Sequence, residues 1–531
     1  MSFSYADVFD AVAAEVPADA VAIICDDDQI LWSEFKERSD CLAASLSERG
    51  LEPGAKVALY MRNGADYLIA FTACLKAGLV SANINYRYGP EEVQYLLENS
   101  DAEAVIFDAE YIRVLEQVPA ASNLKIMVAC RGDCAGAISI SELYDRTPSP
   151  LPHPRSGDDI FLLYTGGTTG LPKGVMWPSG AVWESLAGMR LSPETQQPIM
   201  TLDKLRHVVR QDQNRPRFYV APPFMHGTGL LFSIGVLSLG GTVVCSAEQS
   251  FDPHRTLCQI ETRRCNGLVI VGDAFARPLL DAANETGAEY RLDHVHYVLS
   301  SGMMWSPQVK KGLLEHMPNA IMSDSLGASE ASSIAVSLTT RESAVEAASF
   351  SPVDTIVIDP ETRRPISPGS DQIGVVAKAG PLPLGYYKDP ERTARTYIEI
   401  DGVRRMISGD HARVAADGTI ILLGRGNNSI NTAGEKVYPE EVEEALKTHP
   451  NVKDALVFGV PHPRFGQAVS ALASIDAELT QDELKDWVKQ QLAAYKAPRA
   501  ITFSPSVPRG PNGKPDYAAA KAIFEAEHPS R

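Results

Sequence analysis

Short apolar runs alternate with longer amphipathic stretches along the first 150 residues. VAIICDD (21–27), KVALYM (56–61) and AEAVIFD (102–108) have the length and β-branched content of buried strands. SEFKERSDCLAASLSERG (33–50) and ADYLIAFTACLKAG (65–78) instead space their apolar residues as helices do. Strands alternating with helices of this length predict layered α/β structure with largely parallel sheets. Gly50 and Gly78 fall where helix C-caps belong. LDHVHYVLSSG (292–302) reads as another buried strand ending on a glycine turn, and ligand sites of α/β folds gather at such strand ends. From 350 to 425 the pattern shifts to short alternating strands with Pro and Gly turns, as in TIVIDPETRRPISPGSDQIGVVAK, which predicts a β-barrel-like subdomain.

The polar segment GRGNNSIN (424–431) breaks the pattern before a new helix, PEEVEEALKTH, a strand, DALVFGV, a further helix, ELKDWVKQQLAAY, and a Pro/Gly-rich tail, VPRGPNGKPDY. These signals predict a large N-terminal domain over 1–425 and a small, mobile α/β lid over 426–531. The uncharged stretch Gly227–Ala247 is long enough to raise the question of a membrane span. Gly240-Gly241 divides it into an apolar helix and a short strand, Thr242 to Cys245, so a buried helix-to-strand unit is expected.

Composition narrows the function. The 531 residues allow about three domains at roughly 150 residues each. With 44% hydrophobic and 22% charged residues the chain has ordinary globular balance. Lys plus Arg less Asp plus Glu is 49 − 67 = −18, so the surface field repels polyanions and no nucleic-acid partner is expected. Eight cysteines without a zinc-knuckle pair fit a reducing compartment, and Cys130 and Cys134 read as mere neighbours. The N-terminus, MSFSYADVFDAVAAEV, has early acids and no basic stretch, so a cytoplasmic location is expected rather than export.

The chemistry concentrates in FLLYTGGTTGLPKGV (161–175). Glycines let a turn present backbone N–H groups to phosphate oxygens, threonine hydroxyls add donors, and Lys173 adds a point charge, so the loop suits a polyphosphate. It is not a Walker loop, because Lys173 follows Pro172 and precedes Gly174.

This string resembles the signature loop of the adenylate-forming superfamily, which includes acyl-CoA synthetases, aryl-CoA ligases, luciferases and peptide-synthetase adenylation domains. Further motifs in the family's order extend the resemblance over essentially the whole chain. It implies that Thr165, Gly166, Gly167, Thr168, Thr169, Gly170 and Lys173 hold the β- and γ-phosphates of ATP. DSLGASEA (324–331) is similar to the family's nucleotide segment, which brings in Asp324, Ser325, Leu326, Gly327, Ser329 and Glu330. Glu330, with Thr169, would then hold Mg²⁺. Leu326 stands where the family has an aromatic residue, so contact with adenine is expected from an aliphatic side chain or from elsewhere. SSGMMW (300–305) stands at the family's adenine loop and contributes Ser301 and Gly302.

SGDHARV (408–414) resembles the element whose carboxylate accepts the ribose hydroxyls, here Asp410, accompanied by Arg425 of LGRGN. The hinge position is Asn427 in place of the family's common aspartate, and Asn also tolerates unusual backbone angles. PRGPNGKPDY (508–517) resembles the motif carrying the lysine of the adenylation step, Lys514. NTAGEKVYPEEVE (431–443) resembles the wall of the thiol tunnel, with Ala433, Gly434 and Lys436. APPFMHGTG (221–229) resembles the segment beside the acyl and thiol channels, with His226 as a gate. Phe224, Met225, His226, Gly229, Met303, Met304 and Trp305 would make an apolar, adaptable acyl pocket.

The implied activity is attack of a hydrophobic carboxylate on the α-phosphorus of ATP, followed by thioester formation with coenzyme A. The wording GEKVYPEEVE looks most like fatty-acyl and steroid-side-chain CoA synthetases. A second reading keeps the adenylate but delivers the acyl group to an amine or to the thiol of a separate carrier protein, no carrier segment being expected within the chain. A third is a non-enzymatic nucleotide binder, which the retained Lys173, Glu330, Asp410, Arg425 and Lys514 argue against. No membrane span is expected, and a homodimer is compatible with the sequence.

Overall fold

The computed structural model describes the chain except residues 1–2, 152, 168–169, 188–196, 288, 304, 344–348, 426–429, 433–434, 463–465, 511–513 and 529–531. Side chains are also left undescribed at 166, 167, 170, 425, 431, 435, 436 and 466.

The apolar runs of the first 150 residues form parallel strands. Val21–Cys25, Lys56–Tyr60 and Ala102–Asp108 are strands, and Trp32–Glu48 and Ala65–Lys76 are helices. Gly50 and Gly78 follow the latter helices with φ of 86° and 67°, the left-handed conformation that ends a helix at low cost for glycine.

One sheet has seven strands in the order Ile138–Ser139, Ile126–Cys130, Ala102–Asp108, Lys56–Tyr60, Val80–Asn83, Ile160–Gly167 and Gly170–Pro178. Only the last pair runs antiparallel, as a hairpin. A second sheet has a parallel centre running from Val21–Cys25 through Thr242–Cys245, Arg217–Val220, Gly267–Ile270 and Tyr297–Ser301 to Ile321–Ala328. The expected helix-to-strand unit is present as Gly227–Leu237 and Thr242–Cys245. Among the described residues no helix is long and apolar enough to cross a membrane.

The stretch expected to be barrel-like is antiparallel, and among the described residues its strands form an open row. Its strands Thr355–Ile358, Gly374–Lys378, Val403–Val414, Ile420–Arg425 and Ser349–Pro352 join the edge of the second sheet in that order, with Tyr397–Ile400 beside Val403–Val414. Alternation and turn residues report strand pairing, whereas closure depends on shear and tilt that local pattern does not encode.

The C-terminal part builds its own sheet from Glu435–Val437, Ile430–Thr432, Gly466–Ile475 and Val452–His462, with Ala500–Phe503 alongside Gly466–Ile475. Helices Pro439–Lys447, Gln481–Gln491 and Tyr517–Glu527 cover it over separate apolar clusters. The largest cluster joins the first sheet to the inner face of the second, and that junction positions the site.

Candidate active site

The hairpin places Thr165 directly opposite Lys173, and Gly167 opposite Gly170. Thr168 and Thr169 lie outside the described residues. Two buried asparagines hold the surroundings of this hairpin. Asn83 accepts from the Tyr164 N–H at 2.6 Å and donates to the Tyr164 carbonyl at 3.1 Å and the Met225 carbonyl at 2.6 Å. Asn63 accepts from the Phe224 N–H at 2.7 Å and donates to the Pro222 carbonyl at 3.2 Å. The segment 221–229 is thereby fixed beside the Lys173 hairpin.

A third segment completes that side. The strip around Leu384–Tyr387 pairs with the Lys173 strand: Met176 N–H donates to the Gly385 carbonyl at 2.9 Å and Tyr387 N–H to that of Gly174 at 2.8 Å. The Tyr386 hydroxyl donates to Glu330 Oε1 at 2.6 Å. Burial, and then the Glu330 charge, push this phenol up to about 12, so it remains a donor at neutral pH. Trp177 Nε1 donates to the Ser329 carbonyl at 2.8 Å, tying the turn that carries Glu330 to the same hairpin. Gly327 fits there because a Cβ would stand 2.4 Å from the Ser332 carbonyl oxygen.

These segments border one cavity of about 1570 Å³. Thr165, Lys173, His226, Glu330, Arg509 and Lys514 all face it, although they span 350 positions of sequence (514 − 165 = 349 intervals). Ser301, Gly302, Ser325, Gly327 and Ser329 line the same space. The Lys514 carbonyl accepts from the Gly510 N–H at 2.8 Å. Next to Gly510, Arg509 makes a two-pronged bond to Asp454 at 2.8 and 2.7 Å. Such planar pairing holds a backbone in place better than one contact does.

His226 stands at the start of helix Gly227–Leu237 with Nε2 buried and without a hydrogen-bond partner among the described residues. Its pKa is pushed down to about 4, first by burial and then by the charges of Lys514 and Arg87. The imidazole is therefore neutral at pH 7. The Lys173 ammonium is also lowered, by burial first and then by Arg392 and Arg395 against Asp389 and Glu330.

The cavity extends away from Lys173 as a groove along the second sheet. Ser301, Ser325 and Val336 form one transverse row of register partners, Leu299, Ser323 and Leu338 the next, and Phe218, Gly267, Tyr297 and Ile321 the last. The outer rows are four residues apart along a strand, or about 13 Å. Thr228, Leu231, Phe232 and Val236 of the covering helix supply the facing wall. Gly267 makes room for an aromatic floor, because a Cβ there would lie 2.3 Å from the Phe218 ring, which stacks on Tyr297 at 6.3 Å.

Several residues expected at the site stand elsewhere. Phe224 and Met225 are buried in the main core, Phe224 against Tyr67, and do not line the cavity. Trp305 is buried in the second core under Lys310, and Met303 is half-buried off the cavity wall. Gly229 is a packing glycine inside a helix, its missing Cβ 2.2 Å from the Pro223 carbonyl oxygen. Asp324 is buried against Lys310 at 3.0 Å, and Leu326 packs on the core while its neighbours Ser325 and Gly327 face the cavity. Phe224, Met225, Trp305, Asp324 and Leu326 each found a closer partner in the interior than the cavity offers.

Asp410 is buried opposite Arg425 in the strand ladder, and its neighbours Ser408 and Gly409 reach the cavity. The Arg425 and Lys436 side chains, and Asn427, Ala433, Gly434 and Met304 entirely, lie outside the described residues. Sequence reasoning missed Asn63, Asn83, Tyr386, Arg392, Arg395 and the groove rows. Of these, GYYKDPER carried a visible signal, a helix start at Asp389-Pro390 one residue after two tyrosines.

The chain matches the family of AMP-binding enzymes over residues 9–387 and the AMP-binding enzyme C-terminal domain over 441–514. A medium/long-chain-fatty-acid–CoA/3-oxocholest-4-en-26-oate–CoA ligase of Mycobacterium marinum is 38% identical, with 99% of this chain and 97% of the relative covered. The 3-oxocholest-4-en-26-oate–CoA ligase of Rhodococcus rhodochrous is 39% identical over 98% of this chain and 96% of its own. Among solved structures, an anthranilate CoA ligase in complex with anthranoyl-AMP has a TM-score of 0.82 at 20% identity, covering 99% of this chain and 98% of its own. An amide bond synthetase of Marinactinospora thermotolerans has 0.81 at 23%, covering 98% and 100%. At those identities the structural likeness speaks for the fold, and the sequence matches add the rest: this chain belongs to the adenylate-forming family of AMP-binding enzymes.

Proposed function

We propose that the protein is an ATP-dependent acyl-CoA synthetase that activates a hydrophobic carboxylic acid as its adenylate and passes the acyl group to coenzyme A. The observation that carries this reading is the single cavity in which Lys173, Glu330 and Lys514 stand at one end and an apolar groove about 13 Å long leads away. The near-full-length relatives named for fatty and steroid acids agree with the groove.

In the first step a carboxylate oxygen attacks the α-phosphorus, and the bond to the β-phosphate oxygen breaks as pyrophosphate leaves. Two anions must meet, so the protein contributes position and positive charge rather than a nucleophile. Lys514 bridges the carboxylate and α-phosphate, Lys173 faces the departing phosphates, and the ribose lies where Ser408 and Gly409 border the cavity, beside buried Asp410. His226, uncharged at neutral pH, acts as a polar gate between the acyl groove and the thiol path rather than as a cation.

Glu330 suits Mg²⁺, because this ion takes one or two carboxylates and fills its shell with water and phosphate oxygens. Among the described residues no group of three acidic, His or Cys side chains offers a fuller protein cage, which fits an ion shared with substrate. Bound there, Mg²⁺ would supply charge neutralisation at the phosphates.

For the second step the 426–531 domain rotates about Asn427, withdrawing Lys514 and bringing Ala433, Gly434 and Lys436 to the thiol channel. Eight free cysteines support a reducing, cytoplasmic setting. The test is pyrophosphate release with ATP and a panel of acids from C4 to C18 and a steroid side-chain acid, with and without coenzyme A. Sustained release only with coenzyme A, yielding a thioester, is expected. Product appearing only on addition of an amine or a carrier thiol would replace the acceptor, and no release with any acid would overturn the reading.

A further inference from the structure

The reading above uses Lys173 and Glu330 but leaves two arginines at the same end of the cavity without a role. Helix Pro390–Thr396 begins at Asp389, whose side chain accepts from the Arg392 N–H at 3.0 Å. Arg392 and Arg395 are three positions apart, on one face of that helix, and both line the cavity with Lys173, Glu330 and Tyr386. The helix is anchored against the strip that pairs with the Lys173 strand. Thr393 Oγ1 accepts from Tyr386 N–H at 2.9 Å, and Gly385, at φ 149°, leaves the 2.3 Å gap to Thr393 Cγ2 that a Cβ would fill.

The Arg392 guanidinium lies over the Tyr386 ring, 5.1 Å from its centroid. Stacking of this kind holds the planar fork flat. Among the described residues neither arginine is within ion-pair distance of a carboxylate, unlike Arg62, Arg131, Arg155 and Arg255, which each find one. Glu330, the acid that lies among them, already accepts the Tyr386 hydrogen bond. After burial, the charges of Arg392 and Arg395 lower the Lys173 ammonium against the pull of Asp389 and Glu330, which places both guanidiniums near it.

Three cations facing one lobe, one of them a stacked fork, match a tetrahedral polyanion better than a carboxylate or a nucleoside. We propose that Arg392 and Arg395 form a pyrophosphate cradle with Lys173, holding the β- and γ-phosphates of ATP during adenylation and the pyrophosphate it releases. The inference rests on the adenylate-forming reading for the origin of the pyrophosphate, but the cradle itself binds an anion and is measurable without catalysis. When the α–β bond breaks, the electron pair stays with the leaving pyrophosphate oxygen, no proton moves, and the arginines meet that added charge.

The experiment uses the full chain and the variants Arg392→Gln, Arg395→Gln and Arg395→Lys. Calorimetric binding of inorganic pyrophosphate with Mg²⁺, and separately of AMP, is measured first, followed by ATP–pyrophosphate exchange with decanoate. Each Gln variant is expected to weaken pyrophosphate about tenfold, with a matching rise of its KM in exchange, while AMP affinity stays within twofold. Arg395→Lys should recover part of the loss. Because Arg392 also packs on Tyr386, the more exposed Arg395 decides the case if Arg392→Gln loses its fold. Unchanged pyrophosphate affinity in Arg395→Gln, or equal losses for AMP and pyrophosphate, would overturn the cradle. Wild-type pyrophosphate binding without exchange for any acid would overturn the synthetase reading and leave the cradle standing.

Discussion

The Tyr386 hydroxyl donates to Glu330 Oε1 at 2.6 Å, joining a carboxylate in one hairpin turn to a tyrosine in the strip that pairs with the Lys173 strand. The bond aims Glu330 at the space in front of Lys173. A hydrogen bond to a charged group contributes roughly 1.5–3 kcal/mol, so Tyr386→Phe is expected to lower kcat/KM for ATP about tenfold. The loss should shrink as Mg²⁺ is raised, because saturating metal recaptures the freed carboxylate. A Mg²⁺ titration of pyrophosphate release checks this, and a loss independent of metal would separate Tyr386 from Glu330 function.

Asn83 joins Tyr164 and Met225 through three hydrogen bonds in a buried setting. Asn83→Ala is expected to cost about 3 kcal/mol at roughly 1 kcal/mol per bond. It should also loosen the 221–229 segment, raising KM for the acid more than for ATP. Thermal melting and paired KM measurements test this; an unchanged melting temperature would mean that the staple carries no stability.

His226 gives a pH prediction of definite sign. Its folded value of about 4 lies below the ordinary 6.5, because burial, Lys514 and Arg87 all disfavour the imidazolium. Between those values the unfolded chain binds a proton that the folded chain rejects, so this group lowers stability as pH falls from 6.5 towards 4 and has no effect above. The His226 ring signal, assigned by comparison with His226→Asn, should therefore show no titration above pH 5. A midpoint near 6.5 would contradict the buried placement.

Asp324 behaves oppositely. Burial pushes its carboxyl up to about 6 against the pull of Lys310, so the folded chain gains stability as pH falls through 6 towards 4. Lys310→Met leaves the buried carboxylate alone and is expected to cost about 3–5 kcal/mol at pH 8. At pH 5 the protonated acid needs no cation and the cost should be clearly smaller. Urea midpoints of both proteins at the two pH values settle it.

Ser323 lies in the middle row of the groove between Leu299 and Leu338. A phenylalanine there would block the groove without disturbing the phosphate end. Ser323→Phe is expected to reduce kcat/KM for C16 acids by about a hundredfold and for C4 acids by less than threefold. Equal losses for both would show that the acyl chain lies elsewhere.

The sequence by itself determined what depends on neighbours along the chain. Alternating apolar runs located the helices and the parallel strands, and the density of Thr, Gly and Lys in 161–175 marked a loop whose composition suits a polyphosphate, because backbone turns and strand alternation are local properties. It also supplied Lys173, Glu330 and Lys514 as candidates through the wording of their motifs. Which side chains reach the cavity was decided by tertiary structure. Phe224, Met225 and Trp305 look in sequence like an acyl pocket, yet each is drawn into a core where an apolar side chain is fully removed from water. The actual groove is assembled from Phe218, Leu299, Ser323 and Leu338, residues on four strands whose shared face exists only once the register of the sheet is set. The same holds for Arg392 and Arg395, ordinary charges in a short helix until strand pairing carries that helix to the Lys173 hairpin.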